Sequence, residues 1–284
     1  MTEHKKHEDS GSKKTETITI TKTTLWQIVS GVLGLLLIVS LFTGGFGIGA
    51  SDPTPAQPVP QQQVQPTQPT QPTQPPAIGS ITMAQVNDGV TPVKGSDDAQ
   101  VTMYKWSDFA CGFCTRFNQE TFGRLETNYI ETGKMNYVQR HGRTPNSKPT
   151  EAVRCAGEQD KFYEMNQMIF DKGYSGGVPA LKQYAEELGL NTVQFNACLD
   201  NGEMTDKVNQ DIQQGQAIGL SGTPGFIITS TVSGVTVEDV QNAIPAQFAR
   251  NMFPLRTDTG VGVRVSGALP YEAFEAVIEA LLGN

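Results

Sequence analysis

The sequence predicts an α/β domain with an inserted set of helices, placed behind one apolar helix and a proline-rich linker. Three observations carry this. Strand-like and amphipathic helical runs alternate from about residue 98 onward, and a long helical stretch interrupts them at about 145–219. Two abrupt changes of composition separate all of this from the N-terminus.

Residues 1–24 are polar and hold Lys5, Lys6, Lys13, Lys14 and Lys22. From Leu25 to Phe42 the chain is almost wholly apolar, with no charged residue between Lys22 and Asp52. That length suffices to cross a hydrocarbon core of about 30 Å as a helix. Residues 25–48 are therefore expected to be a transmembrane helix. No Lys or Arg follows until Lys94, so the positive charge places residues 1–24 in the cytoplasm and the rest outside. The expected location is the cell membrane, single-pass, with the folded domain extracytoplasmic. A signal peptide cleaved near Gly49-Ala50 is the alternative, although the apolar run exceeds the roughly 7 to 15 residues usual for one.

Residues 49–79 turn to Pro, Gln and Thr, with the triplet Gln-Pro-Thr repeated from Gln65 to Thr73. Such a segment has too little apolar surface to build a core. Proline at every third position favours polyproline II, which at about 3.1 Å per residue makes a stalk. A ligand for a proline-recognition module is the other reading of this composition.

Residues 80–284 have the size of one domain. Five Lys and four acidic residues precede the apolar run, which leaves 16 basic and 25 acidic residues beyond it. No basic stripe meets phosphates there, so nucleic acid is excluded as a partner.

Within the domain, Val101-Thr102-Met103-Tyr104-Lys105-Trp106 reads as a strand, and Cys111 to Tyr129 as a helix ended by Gly133. Met135 to Gln139 reads as a second strand, which completes a βαβ unit. Apolar residues at helical spacing fill the insertion, and strand character returns at Phe226–Thr229 and Val261–Val265. A last helix carries Phe274, Val277, Ile278, Leu281 and Leu282 on one face.

The chemistry concentrates in Asp108-Phe109-Ala110-Cys111-Gly112-Phe113-Cys114, where the first strand runs into the helix. Cys111 in the first turn lies near unsatisfied backbone N–H groups, which stabilise a thiolate. Cys114, one turn on, lies within disulfide reach. With Cys155 and Cys198 the chain has an even count of four, able to close as two bridges in an oxidising compartment. A CxxC also serves as half a zinc site, but there is no second CxxC and the only histidines are His4, His7 and His141. An inert bridge is a further reading, weakened because a two-residue loop constrains little of the unfolded chain.

A βαβ half with CxxC heading its helix, a helical insertion, Gly222-Thr223-Pro224-Gly225-Phe226 before a strand, and the terminal helix after Ser266–Phe274 follow in that order. The region from about Asp98 resembles the thioredoxin fold in its DsbA-like form. That resemblance implies a protein thiol–disulfide oxidoreductase needing no cofactor beyond the redox-active Cys111–Cys114 pair. Cys111 is then the nucleophile and Cys114 the buried resolving thiol. Pro224 is then a cis-proline facing them, and Thr223, with Phe113 nearby, meets the substrate backbone. An ordinary trans turn proline is the rival for Pro224. Cys155 and Cys198 are expected to form a structural disulfide closing a long loop, a relay role being the alternative. His141 is expected to be a loop or surface residue.

The implied partners are exported polypeptides with cysteines, and a quinone-linked membrane protein or a thiol partner that resets the pair. Gly112-Phe113 lacks the histidine of strongly oxidising relatives, so isomerase or reductase action stays beside disulfide formation. A non-catalytic polypeptide-binding module is the reading of another class. Two departures from the family stand out. Lys105 sits where relatives often carry a buried acid; either it tunes Cys114 by its charge, along with Asp108 nearby, or it snorkels to the surface. The segment Thr231–Gly260 is expected to hold a helix from Asp239 to Met252, as a rim near Pro224 or a plain surface insertion.

Overall fold

The computed structural model describes residues 79–284 except Asn146, together with Gln27, Ser30 and Val32, which are helical. The chain divides into two units, Met1–Gln71 and Pro72–Asn284. The expected cytoplasmic tail lies outside the described residues, as do the stalk but for Gly79, which opens a strand, and the membrane span but for those three positions. Among the described residues no helix is long and apolar enough to cross a membrane.

The second unit is built on six strands: β1 (Gly79–Ile81), β2 (Val101–Ser107), β3 (Met135–His141), β4 (Gly225–Ser230), β5 (Met252–Thr257) and β6 (Val261–Ser266). They lie in the order β1-β5-β6-β4-β2-β3. β2 runs parallel to β3 and antiparallel to β4, with Lys105 opposite Gln139 on one side and Phe226 on the other. The helix α1 enters as Gly112–Phe117 and continues through π-type turns at Asn118–Phe122, a turn at Gly123–Leu125 and π-type turns at Glu126–Ile130. The inserted helices are α2 (Lys148–Gly157), α3 (Phe162–Lys172), α4 (Gly177–Glu187), α5 (Thr192–Asn201) and α6 (Thr205–Ala217). α7 (Val237–Ala243) and α8 (Tyr271–Leu282) complete the unit.

Strand alternation sorts side chains onto two faces. Val101, Met103, Phe226 and Ile228 share one core with Phe117 and Leu125 of α1 and Phe274 and Ile278 of α8. The rings of Phe117, Phe226 and Phe274 meet with centroids 4.8, 5.4 and 4.9 Å apart, and each buried ring contributes roughly 1.5–3 kcal/mol. Tyr104, Trp106, Val138 and Ile227 form the opposite core with Ile218 and Leu220. The same alternation puts Lys105 on the face of Val101 and Met103. As β2 is flanked by strands and covered by α1, Lys105 has no path to water and is 0% exposed. It does not snorkel.

The inserted helices have a core of their own, containing Met165, Leu181, Phe195 and the Cys155–Cys198 disulfide between α2 and α5. One carboxylate ties them to the sheet. Asp211 of α6 accepts from Arg140 of β3 at 3.0 Å, from the His141 backbone N–H at 3.0 Å, and from Arg154 of α2. The Trp106 indole N–H donates to the Asp211 carbonyl at 2.9 Å. Arg140 also pairs with Asp88, whose carboxyl is lowered to about 2. Burial opposes that shift, and backbone N–H groups of Thr91 and Val90 with the Arg140 charge outweigh it.

Two expectations are corrected by these placements. His141 is neither loop nor surface: it ends β3, is buried, and its ring contacts the Thr150 hydroxyl at 2.6 Å. Thr231–Gly260 is neither a rim nor a surface insertion. Its helix stops at Ala243, because Pro245 cannot continue it, and Val237, Val240 and Ile244 pack into the main core. The chain then forms β5, paired antiparallel to β6 and parallel to β1. Only its Asn251 end nears Pro224: Asn251 accepts from the N–H of Ser266, next to Gly267, whose N–H donates to Pro224 at 2.9 Å.

Candidate active site

At the end of β2 the chain turns through Asp108-Phe109-Ala110, and Cys111 becomes the residue that opens α1. Its φ of −93° and ψ of 111° are extended, while its carbonyl already accepts from Cys114 at 2.9 Å and Thr115 at 3.2 Å. Asp108 sets this turn: Oδ1 accepts from the Ala110 N–H at 2.8 Å, and Oδ2 from the N–H of Thr144 at 3.0 Å and from its hydroxyl. Asp108 therefore fixes the loop, with its carboxylate committed to partners other than the thiols.

Cys111 is partly exposed and Cys114 is buried, and neither is disulfide-bonded. Facing them is the Thr223–Pro224 peptide bond, which is cis. Cys111 Sγ lies 3.3 Å from the Thr223 carbonyl oxygen. Partial burial raises the Cys111 thiol; the Thr223 hydroxyl and the N–H groups of Cys114 and Phe113 outweigh this and hold it below the usual value. Burial pushes Cys114 the other way, above the usual thiol, against contacts from Ser107 and from the Asp108 N–H, which meets its sulfur at 3.4 Å. The two thiols are thus split, one held below the ordinary thiol value and the other above it.

A family model described as Thioredoxin matches residues 87–246, more than half of the chain. The chain belongs to the thioredoxin family. Among curated proteins it is 27% identical over 145 residues to the Na(+)/H(+) antiporter NhaA of Herminiimonas arsenicoxydans, over 50% of this chain and 23% of that protein. It is 24% identical over 159 residues to Disulfide bond formation protein D of Bacillus subtilis, over 50% of this chain and 68% of that protein. The chain thus spans about a quarter of the length of the first curated relatives it matches. In fold it is similar to a doubly substituted alpha-DsbA1 of Wolbachia pipientis, with TM-score 0.55, 20% identity, and 72% and 96% of the two chains covered. The fold of this thioredoxin-family chain is thus DsbA-like.

Lys105 stands beneath the thiol pair. Its Nζ donates to Asn118 Oδ1 at 2.9 Å, and the rings of Phe117 and Phe170 lie 5.1 Å from it, with Phe122 and Tyr137 at 5.6 and 5.8 Å. No carboxylate among the described residues pairs with it. Burial lowers its ammonium to about 7, against the pull of Cys114. Asn118 lies four residues after Cys114, on the same helix face, and starts the first π-type turns.

Around the rim, Phe113 is 59% exposed, an unusual position for a large apolar ring. The Arg116 guanidinium covers it at 5.1 Å and donates to the Ala268 carbonyl at 3.0 Å. Cys155 and Cys198 are elsewhere, 1% and 6% exposed inside the inserted helices. Among the described residues no group of three or more His, Cys, Asp or Glu is placed to hold a metal. Sequence reasoning missed Asp211, Arg140 and Arg154; the available signal was two Arg and one Asp on otherwise apolar faces.

Proposed function

We propose that this thioredoxin-family chain is a thiol–disulfide oxidoreductase that forms disulfides in exported polypeptides through Cys111 and Cys114. The observation that carries the reading is the Cys111 sulfur, at a helix N-terminus, 3.3 Å from the carbonyl of Thr223 beside the cis bond to Pro224. The backbone at Thr223 and the exposed ring of Phe113 are the surfaces for an extended polypeptide.

In the oxidised form a substrate thiolate attacks Cys111 Sγ. The Cys111–Cys114 bond breaks, a mixed disulfide forms, and Cys114 leaves as a thiolate. A second substrate thiolate attacks the mixed disulfide and expels the Cys111 thiolate, so the polypeptide gains a disulfide and the pair gains its two electrons. Groups that stabilise the leaving thiolates favour the reduced pair, which makes the disulfide a stronger oxidant. Thr223 and the helix N–H groups act in this way on Cys111, and protonated Lys105 does so on Cys114. This supports disulfide formation over reduction, even without a histidine between the cysteines.

The rest of the assignment concerns place. The apolar run 25–48, the Lys distribution and the Pro/Gln/Thr-rich stalk support a membrane tether with the domain outside, and the Cys155–Cys198 disulfide supports an oxidising compartment. A membrane or thiol partner then resets the pair.

Replacing Cys114 by Ser tests the reading. The variant is expected to accumulate mixed disulfides with exported polypeptides through Cys111, visible as adducts that reductant dissolves. If none form while peptide binding persists, the chain is a binding module.

A further inference from the structure

Beside Thr223 lies a cavity of about 200 Å³. Its floor is apolar, from Trp106, Ile212 and Leu220, and its rim carries Gln216 and Arg143. No acidic side chain lines it. The cavity adjoins the reacting sulfur through two contacts: Gly142 packs so closely on Thr223 and Trp106 that a Cβ there would lie 3.1 Å from each, and Thr223 touches Cys111.

Arg143 is the distinctive member. It is exposed, makes no hydrogen bond or ion pair among the described residues, and has a φ of 100°, a backbone conformation non-glycine residues rarely adopt. An unpaired guanidinium beside a cavity without acidic lining is complementary to a short acidic side chain, whose carboxylate meets the fork of the arginine. The chain as a whole carries a net charge of −8. A preference for acidic peptides would therefore run against the general field of the protein and has to arise locally.

We propose that this cavity is a subsite for an acidic side chain next to the reacting cysteine of a bound polypeptide, with Arg143 as the residue that selects it. The inference rests on the oxidoreductase reading and deepens it by naming a substrate class. The step it governs is formation of the mixed disulfide between Cys111 and the polypeptide; the same species is reached from the reduced protein when the Cys111 thiolate attacks the cysteine sulfur of a disulfide-activated peptide and expels the activating thiolate.

The test uses the full chain carrying Cys114→Ser and peptides with one cysteine activated as the thionitrobenzoate disulfide. The two residues on either side are scanned as Glu, Ala or Lys, and each rate is divided by that of the same peptide with N-acetylcysteine. At low salt one Glu position is expected to react about two- to five-fold faster than its Ala counterpart, fading as salt rises. The preference is expected to survive Arg143→Lys, vanish in Arg143→Gln and turn toward Lys peptides in Arg143→Glu, with melting temperatures reporting that each variant is folded. Equal rates for Glu and Ala peptides, or a preference undiminished in folded Arg143→Gln, overturn the subsite. If no peptide reacts faster than with N-acetylcysteine, it is the oxidoreductase reading that fails.

Discussion

Replacing Lys105 by Met puts the account of the site at risk most directly. Met keeps the length and apolar contacts of the side chain and removes only the amine. In the unfolded chain the amine titrates at its ordinary 10.5, and in the fold at about 7. The folded state therefore binds fewer protons than the unfolded state between those values, and stability rises with pH across that window. Above about 10.5 the lysine carries no penalty; below about 7 the penalty is complete, about 5 kcal/mol at 1.36 kcal/mol per unit. At pH 7.5 about 4 kcal/mol of it remains. Leaving Asn118 without its donor returns about 1 kcal/mol. Lys105→Met is thus expected to stabilise the reduced protein by about 3 kcal/mol at pH 7.5, or roughly 6–12 °C in Tm, and by progressively less toward pH 10. Calorimetry across that range measures it. The pull of Cys114 is already part of that value and is lost when the disulfide closes, so the gain is expected to be larger in the oxidised protein. If that attraction is about 1–2 kcal/mol, the variant's potential falls by about 20–40 mV, read by equilibration with glutathione. A variant less stable than the parent at every pH, with an unchanged potential, would refute the reasoning: Lys105 would then be a satisfied core residue with no link to the thiols.

Three further outcomes are expected. Thr223→Val removes the hydroxyl beside Cys111 and should raise the thiol pKa, seen as an upward shift of the thiolate absorbance titration with a slower alkylation rate at pH 7. Changing both Cys155 and Cys198 to Ala opens a loop whose ends are 43 residues apart, which costs about 4 kcal/mol of chain entropy; the denaturant midpoint should fall while the potential of the CxxC pair stays put. Asp211→Asn leaves Arg140 and Arg154 facing each other without their shared carboxylate and should destabilise the protein by about 3–5 kcal/mol, measured by urea titration.

The readable parts of the fold were those with strong period or fixed motif. β2, α1, β4 and α8 combine apolar runs with clear ends, so the thiol pair could be placed from spacing, whereas Thr223-Pro224 opposite it followed from the resemblance to DsbA-like proteins. What was missed had weak local signals. β5 is interrupted by Pro254 and β1 is three residues long, so neither shows an alternation by itself. They become strands because β6 offers an edge and the core offers a place for Leu255 and Ile81. Lys105 stayed open between two places for a similar reason: its own type argues for the surface, and only the neighbours of β2 on both sides and α1 above decide that it is enclosed.

The two sets of buried charge in the domain make opposite physical arguments, and the contrast says what Lys105 is for. Around Asp211 every charge has a counter-charge: Arg140 and Arg154 share its oxygens, and Asp88 takes up the remaining charge of Arg140. In such a set each buried charge is offset by a partner, and the set binds inserted helices to sheet; none of its members touches a thiol. Lys105 has one neutral amide and four rings, so its charge is uncompensated until something nearby becomes negative. A core selected for stability alone would place a Leu or Met there. The one group beside it that acquires negative charge in the proposed reaction is the Cys114 sulfur, and it does so at the moment the disulfide opens. The amine is therefore harder to protonate when the disulfide is closed than when Cys114 leaves as a thiolate, and the cost of burying it weighs more on the oxidised form, the form that must draw electrons in.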